Sequence, residues 1–307
     1  MTLPEARLLR YFLAVAEERN FTRAAARLHI AQPALSAQIR RLESLLGVEL
    51  LHRTTRSVRL TEAGRAVWER GAPALAALEE VWESARRVGR GESGRLRLAH
   101  SISAGYGTVP ELVAAVGRSL PEVRITAEPT PTPDIAHAVL EGRADVGVAR
   151  SPERVPGLSL PVLRRERRGI LVAAGHPLAG RTGVTPAEVA AYPVALHARE
   201  ANPGRHDEVL ELFRRAGVRP ELRAREMAFD PGRRVPADAS TVSLVEESTV
   251  AELPGRLRWV PLTGTGLAPA TTRLVLPAGG GSPVARRFAT AALTVARAAG
   301  WLDTPPE

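Results

Sequence analysis

The chain has 307 residues, 44% of them hydrophobic and 24% charged, which is enough for two domains with ordinary apolar cores. It contains no cysteine, which excludes disulfides, thiol catalysis and cysteine-ligated zinc sites. All 42 of its basic residues are arginine, and the formal net charge of +9 favours either an anionic partner or an origin in a GC-rich genome.

The positive charge is concentrated near the N-terminus. Residues 1–61 hold ten arginines and five acidic residues, so a fifth of the chain carries about half of the net charge. This asymmetry is typical of a nucleic-acid-binding domain. The first residues lack the apolar core of a signal peptide, and no apolar run approaches the roughly 20 residues of a membrane span. We therefore expect a cytoplasmic protein without membrane segments.

The first predicted elements are two helices near the N-terminus. Leu8, Phe12 and Val15 recur with the spacing of one helical face. A short second helix follows, and Thr22 is predicted to cap it, because a threonine hydroxyl can accept a hydrogen bond from the backbone at a helix start.

A third helix is predicted to begin at Gln32 and Pro33, since proline is tolerated in the first helical turn. Gly47 is placed to end it. The residues of its apolar face are Leu35, Ile39, Leu42 and Leu46. Residues 49–60 then read as two short strands, which predicts a hairpin wing with its tip near Arg53.

A long helix is predicted from Thr61, as its cap, to about Val88, with Pro73 as an expected kink. Its apolar stripe needs a partner, and a second copy of the same helix is the simplest one. Residues 89–94 are rich in glycine and predict a flexible linker.

From Arg95 onward, strand-like and helix-like segments alternate, which predicts βαβ units and a largely parallel sheet. The predicted strands are 96–99, 123–128, 146–149, 170–173, 194–197, 257–262 and 273–276. The predicted helices are 109–120, 134–141, 207–216 and 283–299.

The third helix has two chemically different faces. The face opposite its apolar residues is small, polar and basic, as a helix that enters the major groove requires. Its residues are Pro33, Ala37, Arg40, Arg41 and Ser44, with Ser36 at the flank. Gln32 can bind adenine with two hydrogen bonds, and Ser36 can bond several base edges. A three-helix bundle with a solvated basic face is the alternative that this pattern leaves open.

Phosphate contacts are expected from other residues of this segment. Arg40 and Arg41 lie further along the third helix, where a phosphate contact is the expected role. Arg53 and Arg56 of the predicted wing can reach phosphates or a narrow minor groove. Thr22, at the start of the second helix, is also among the predicted DNA contacts.

A resemblance to a known family distinguishes these alternatives. The segments LRYFLAVAE (9–17), NFTRAAARL (20–28), AQPALSAQIRRLE (31–43), LGVELLHR (46–53) and LTEAG (60–64) resemble the DNA-binding domain of LysR-type transcriptional regulators. The resemblance implies that Gln32, Pro33 and Ser36 face the groove and that Arg53 and Arg56 lie on the wing. Many family members have arginine where this chain has Ala37.

The resemblance also implies an overall architecture. It predicts an α/β fold with an N-terminal winged helix-turn-helix (1–61), a linker and dimerisation helix (62–90) and a two-lobed, periplasmic-binding-protein-like effector domain (91–307). Lobe I would comprise about 95–164 and 271–307, and lobe II about 165–270. The segments EGRADVG (141–147) and HPL (176–178) are recurring landmarks of this domain.

A small-molecule effector is expected in the cleft between the two lobes, where such folds bind ligands. By resemblance, the residues expected to line or support this cleft are Ser101, Ser103, Thr132, Arg150, Arg164, Arg199, Asn202 and Glu226. The serines and threonines and the nearby arginines favour a small organic anion. A turn at 238–243 lacks the glycines that the family usually has there.

The sequence lacks the features that two other classes of protein would need. An enzyme would need a nucleophile elbow, a metal-binding H-E-x-x-H or a phosphate-binding loop, and the sequence has none of these. An exported solute-binding protein would need a signal peptide. We expect no catalysis, no cofactor and no metal.

The expected partners follow from the family. They are double-stranded promoter DNA, the effector, a second copy giving a homodimer or homotetramer, and RNA polymerase if the protein is an activator. Nucleoid association is expected when the protein is bound to DNA.

Overall fold

The computed structural model describes residues 5–53, 57–225, 240–250, 254–264 and 268–303. The chain divides into two compact units, residues 1–86 and 87–307. Each unit has its own hydrophobic core. Among the described residues, no helix is both long and apolar enough to cross a membrane.

The first unit contains the predicted helices and the two strands of the predicted ribbon. Its elements are α1 (Ala6–Glu18), α2 (Phe21–Arg27), α3 (Gln32–Leu46), β1 (Leu51–Arg53), β2 (Val58–Leu60) and α4 (Glu62–Gly89). The strands β1 and β2 pair antiparallel. Leu8, Phe12, Leu35 and Ile39 are fully buried where α1, α2 and α3 pack together.

The start of α2 differs from the prediction. Thr22 is not its cap; the cap is Asn20, whose Oδ1 accepts hydrogen bonds from the backbone N–H groups of Thr22 (2.9 Å) and Arg23 (3.1 Å). Asparagine caps at least as well as threonine, and here it lies one residue outside the helix, where its side chain can reach those donors. Thr22 is instead an exposed residue of the first turn.

The ends of α3 and the start of α4 are as predicted. Pro33 lies in the first turn of α3, and Gly47 ends the helix with a φ of +70°, a left-handed conformation that suits glycine. Thr61 caps α4, because its Oγ1 accepts a hydrogen bond of 2.9 Å from the N–H of Gly64. The 28-residue helix α4 runs without interruption through Pro73.

The second unit begins with the segments that build its first sheet. They are β3 (Ser93–His100), α5 (Thr108–Ser119), β4 (Glu122–Pro129), α6 (Thr132–Leu140), β5 (Val146–Arg150), β6 (Leu158–Ser159) and β7 (Val162–Glu166). Two later segments complete it, β13 (Ala270–Pro277) and α9 (Pro283–Ala298). The strand order is β4-β3-β5-β13-β6, and β7 also pairs with β13.

A second sheet is formed by the middle of the chain. Its elements are β8 (Arg168–Ala173), α7 (Pro186–Val189), β9 (Val194–His197), α8 (Pro203–Arg215), β10 (Leu222–Arg225), β11 (Val242–Glu246) and β12 (Leu257–Pro261). The strand order is β10-β9-β11-β8-β12. The two sheets are the two lobes of the unit, which confirms the predicted two-lobed α/β architecture.

In each sheet the parallel strand pairs lie together on one side and the antiparallel pairs on the other. Strand β3 is parallel to both β4 and β5, and β9 is parallel to both β10 and β11. The chain passes from the first sheet to the second at Arg167 and returns between β12 and β13. The carboxyl ends of β3, β5 and β9 therefore meet loops of the other lobe.

Candidate nucleic-acid interface and ligand cleft

Helix α3 presents one face to the core and the other to solvent. Leu35, Ile39 and Leu42 are buried and fix the rotation of the helix about its axis. Pro33 and Ala37, on the opposite side, are exposed. The exposed face is therefore held in a defined orientation by the core behind it.

The first turn of α3 is open to a ligand. Gln32 is exposed there, and Ser36 is half-buried at the flank of the exposed face. The cap residue is Ala31, which has no side-chain acceptor for the first N–H groups of the helix. These backbone donors lie beside the two side chains predicted to contact bases.

The arginines of α3 are only weakly engaged with the protein. Arg41 makes an ion pair of 3.1 Å with Glu5, and both side chains are about half exposed. Arg40 is exposed and makes no ion pair with any residue of the described ranges. Surface pairs of this kind contribute little to stability, so both guanidinium groups can turn toward an external anion.

Arg53 is the last residue of β1, on the predicted ribbon, and its side chain has a partner within the protein. Its guanidinium forms an ion pair with Glu43 and lies 5.3 Å from the centre of the Phe21 ring. The other oxygen of Glu43 accepts hydrogen bonds from the N–H groups of Leu50 (3.0 Å) and Leu51 (3.2 Å). Arg53 thus fastens the ribbon to α3, and Arg56, the other predicted wing contact, lies outside the described residues.

A small, partly open cavity of about 120 Å³ lies between the two sheets of the second unit. Its polar lining includes Ser101, Ser103, Thr132, Asn202 and Arg205. Its apolar lining is formed by Ile102, Tyr106, Leu196, Val209, Leu244 and Val245. Since one water molecule occupies about 30 Å³ of liquid, the cavity has room for about four.

Two hydroxyl groups of the first lobe face this cavity. Ser101 follows the carboxyl end of β3, and its Oγ accepts a hydrogen bond of 3.3 Å from the N–H of Arg150. Thr132 is the first residue of α6, and its Oγ1 accepts a hydrogen bond of 3.0 Å from Nδ2 of Asn202. Each hydroxyl therefore keeps its own proton for a further acceptor.

Asn202 joins the two lobes. Its Oδ1 accepts a hydrogen bond of 3.0 Å from the N–H of Arg205 and so caps α8 in the second lobe. Its Nδ2 donates to Oγ1 of Thr132 and to the carbonyl oxygen of Arg150 (3.4 Å), both in the first lobe. One amide thus orders the start of α8 and holds it against the ends of α6 and β5.

The lobes also approach closely at the start of α5. A Cβ added to Gly107 would lie 2.0 Å from the carbonyl oxygen of Ser248, so only glycine permits this contact. Ser248 in turn accepts a hydrogen bond of 2.9 Å from Arg150.

The cavity borders a cluster of buried charges, of which Arg205 and Glu246 form part of its wall. Arg150 and Glu246 form an ion pair with side chains only 3% and 4% exposed, and Arg150 also lies 3.2 Å from Glu166. Arg205 lies 2.8 Å from Glu246. Burial alone would raise the pKa of Glu246, but the charges of Arg150, Arg205 and Arg168 lower it to about 2. Burial lowers the pKa of Arg205, against the raising effect of Glu246.

The structure brings together most, but not all, of the predicted cleft residues. Arg150 is buried behind the cavity, and Arg164 lies 3.9 Å from Glu166 and stacks on Trp301 at 4.6 Å. Arg199 does not line the cavity; it forms a two-bond ion pair with Asp207 at the surface, at 2.9 and 2.7 Å.

Two of the sequence-based expectations fall wholly or partly outside the described residues. Glu226 is not described, nor are the first two residues of the glycine-free turn at 238–243.

Two charged residues of the cavity wall were missed by the sequence analysis. Arg205 lies in the first turn of α8, and the helix start at Asn202 and Pro203 was the available signal for it. Glu246 ends β11, which the sequence analysis did not predict as a strand. Among the described residues, no group of three histidine, aspartate or glutamate side chains is arranged to hold a metal ion.

A larger depression of about 680 Å³ lies elsewhere on the second unit, lined in part by Arg154, Glu208 and Arg273. It is more open to solvent than the cavity at Ser101. The hydroxyl groups of the smaller cavity converge on one space, which makes it the candidate ligand site.

Comparison with known protein families gives two matches. The family described as "Bacterial regulatory helix-turn-helix protein, lysR family" matches residues 6–65. The family described as "LysR substrate binding domain" matches residues 89–297.

Curated relatives carry regulator names. The chain is 37% identical over 217 residues to a probable cat1 operon transcriptional activator of Acinetobacter lwoffii, covering 70% of this chain and 72% of the relative. It is 33% identical over 266 residues to the HTH-type transcriptional regulator BudR of Raoultella terrigena, covering 86% and 91%.

Solved structures agree with this. The chain superposes on CbnR, a LysR family transcriptional regulator, with a TM-score of 0.83, 28% identity and coverage of 94% of this chain and 100% of the other. It superposes on full-length CbnR bound to its target DNA with a TM-score of 0.75, 27% identity and coverage of 95% and 100%.

Proposed function

The chain belongs to the LysR-type family of transcriptional regulators, and from that premise we propose how its two units divide the work. The protein binds DNA and carries an effector-binding domain. In our proposal the exposed face of α3 reads promoter sequence, the cavity between the lobes of the second unit takes a small organic anion, and the protein acts by binding rather than by catalysis.

The orientation of α3 supports the assignment of its DNA contacts. Gln32, Pro33 and Ser36 lie on or beside the exposed face, where they can meet base edges in the major groove. Arg40 and Arg41 are further along and would bind phosphates. The observation that carries the proposal is that the helix buries Leu35, Ile39 and Leu42 while leaving the opposite face small and exposed.

The remaining predicted contacts divide into two groups. Thr22, exposed in the first turn of α2, is proposed as a phosphate contact, and so is Arg56 on the sequence evidence alone. Arg53 is proposed as a positioning residue, since its guanidinium is already bound by Glu43.

A mobility-shift assay on the DNA upstream of the protein's own gene tests this function. We expect specific retardation that weakens steeply with salt, because each phosphate contact releases counterions. Binding that is indifferent to sequence would contradict the proposal.

Single variants separate base contacts from phosphate contacts. Ser36→Ala or Gln32→Ala should relax base preference at one half-site position, by about 1–3 kcal/mol of discrimination. Arg40→Ala should instead weaken all sequences alike and reduce the salt slope by about 0.9. The control is Arg199→Ala, which removes a surface arginine of the second unit and should leave DNA affinity unchanged.

The effector proposal rests on the cavity's free hydroxyl protons. Ser101 and Thr132 each accept a hydrogen bond, and among the described residues neither hydroxyl donates to another group. Together with Ser103, they can hold an anion without a free cation. Arg150 is proposed to support this wall from behind, and Arg199, which faces solvent, is left out.

Thermal-shift measurements with a panel of carboxylates test the effector class. We expect one or more small carboxylates to raise the melting temperature of the native protein, and Ser101→Ala to abolish that rise. Ser159→Ala, outside the cavity, is the matched control. Stabilisation by neutral or cationic compounds only would contradict the proposal.

The assembly is proposed from the exposed face of α4. Trp68 and Trp82 are large apolar side chains left exposed on one side of this helix, with 57% of Trp82 accessible. A second copy of α4 would cover them and form a homodimer; by family analogy, pairs of dimers would form tetramers.

Light scattering tests this assembly. Trp82→Glu should shift the protein toward monomer, whereas the neighbouring exposed change Glu80→Gln should not. Oligomers that persist unchanged in Trp82→Glu would contradict a role for this face. Cytoplasmic location, nucleoid association and contact with RNA polymerase are part of the same proposal.

A further inference from the structure

The centre of the exposed face of α3 is apolar. At about 100° per residue, Pro33 and Ala37 point almost directly away from the buried direction set by Leu35, Ile39 and Leu42. They are one helical turn apart, and both are exposed.

Polar side chains surround this apolar centre. Gln32 and Ser36 lie on one flank of the same two turns, and Arg40 and Arg41 follow in the next turn. The pyrrolidine ring of Pro33 and the methyl group of Ala37 offer neither donors nor acceptors. A base edge opposite them therefore gains no hydrogen bond from the side chains it meets.

Only one group on a base edge of the major groove is apolar, and that is the C5 methyl group of thymine. We propose that Ala37, with Pro33 beside it, reads the thymine methyl group and so specifies thymine at the base pair that it faces. This inference rests on the proposed entry of α3 into the major groove, and it assigns Ala37 a role in sequence specificity.

The size of Ala37 supports this role. A methyl group allows the helix backbone to approach the base edge closely, which a contact with a thymine methyl group requires. Burying one methyl-sized group between the two surfaces is worth about a fourfold change in affinity. The change in affinity is small for one contact, but a dimer that reads two half-sites makes the contact twice, so the change in binding free energy doubles.

The first experiment selects the preferred DNA sequence from a randomised duplex library with the full-length protein. Each thymine of the selected half-site is then replaced by deoxyuridine, which pairs identically but lacks the methyl group. We expect about fourfold weaker binding at one or two thymine positions and no change at the others. Loss of affinity at none of the positions would overturn the inference.

The second experiment connects the effect to Ala37. Ala37→Gly should bind the thymine and deoxyuridine duplexes equally at one position, because the variant has no methyl group to contact. Ala66→Gly is the matched control, since Ala66 is also an exposed alanine within a helix but lies on α4. It should keep the full fourfold difference; equal discrimination by both variants would also overturn the inference.

A third variant gives a gain of function. Ala37→Arg should shift the selected base from thymine to guanine, because arginine bonds the O6 and N7 atoms of guanine. Ala37→Arg also provides a measurable test if Ala37→Gly binds DNA too weakly to measure, and unchanged thymine selection would count against the proposal.

The outcomes for the native protein separate the two proposals. If the native protein selects no sequence at all, the proposed function fails. If it selects a sequence but shows no effect of the methyl group, only the present inference fails.

Discussion

The arginines of α3 are exposed and at most weakly paired, whereas Arg150, beside the ligand cleft, is buried and paired with carboxylates. On α3, Arg40 is exposed and has no ionic partner among the described residues, and the partner of Arg41 is itself half exposed. In the second unit, Arg150 is buried and contacts both Glu166 and Glu246. A surface that meets a polyanion can keep its cations available, whereas a cation inside a lobed domain must be neutralised. In the proposed cleft, the groups left to bind a ligand are therefore the hydroxyls of Ser101, Ser103 and Thr132.

The largest expected effect comes from breaking the buried cluster. Glu246→Ala would leave Arg150 and Arg205 without their shared carboxylate, so we expect the free energy of unfolding to fall by about 3–5 kcal/mol. Chemical denaturation of the second unit measures this. Glu111→Ala removes a carboxylate 45% exposed at the edge of the same network and should change stability by about 0.5 kcal/mol or less. Equal losses of stability in the two variants would contradict the claim that the buried charges depend on their partners more than the exposed ones do.

Variants of Asn202 test how much its side-chain amide contributes to stability by joining the two lobes. Asn202→Ala removes both the cap of α8 and the bonds to the first lobe, and we expect a loss of about 1–2 kcal/mol in thermal denaturation. Asn202→Asp keeps the capping oxygen but has no N–H donor for Thr132. An intermediate loss is expected for it. A loss as large as that of Asn202→Ala would show that the cap contributes nothing.

The start of α2 provides a test in the DNA-binding unit. Asn20→Ala should lower stability by about 1 kcal/mol because two backbone N–H groups lose their acceptor. Thr22→Ala, the residue favoured by the sequence pattern, should cost only a few tenths of that value. A larger loss of stability in Thr22→Ala than in Asn20→Ala, measured by chemical denaturation, would indicate that Thr22 is the cap.

The smallest expected effect concerns pH. Burial lowers the pKa of His100, a residue at the end of β3 whose ring lies against Gly105. A neutral buried histidine contributes stability above its unfolded pKa of about 6.5, and this contribution is lost as pH falls below that value toward the lowered folded pKa. Unfolding midpoints measured between pH 7.5 and 5 should fall in the native protein.

His100→Gln is the control for that measurement and should flatten the profile in this window. The carboxylate of Glu246 acts in a separate, more acidic window, because its pKa is lowered to about 2 and its contribution is lost only below the ordinary glutamate value of about 4.3. A flat native profile between pH 7.5 and 5 would contradict the role given to His100.

The sequence predicts the DNA-binding unit better than the cleft because its pattern is local. Helix α3 is defined by apolar residues three and four positions apart and by Gly47 at its end. The cleft depends on topology: Arg205 and Glu246 lie on different elements and meet only because β9 and β11 are neighbours in the sheet. No local pattern carries that information.

Near neighbours in the fold explain the surroundings of several side chains that the sequence alone does not determine. Both Asn20 and Thr22 are good capping residues, and the backbone geometry of α2 selects the first. Arg53 follows the pattern of a wing contact, but Glu43 lies close enough in the fold to bind it. Asp207, eight residues from Arg199, does the same at the surface.

The uninterrupted passage of α4 through Pro73 has a mechanical consequence. Proline has no N–H, so the carbonyl group of Glu69 lacks its i→i+4 donor and the helix has one missing link in its hydrogen-bond ladder. Around this point the rod bends at a lower energy than elsewhere along its 28 residues. Backbone amides on either side should exchange with deuterium faster than those near Trp82. Helix α4 would then be stiff along most of its length and bend most easily at Pro73, which lies in the half of the helix nearer the DNA-binding elements.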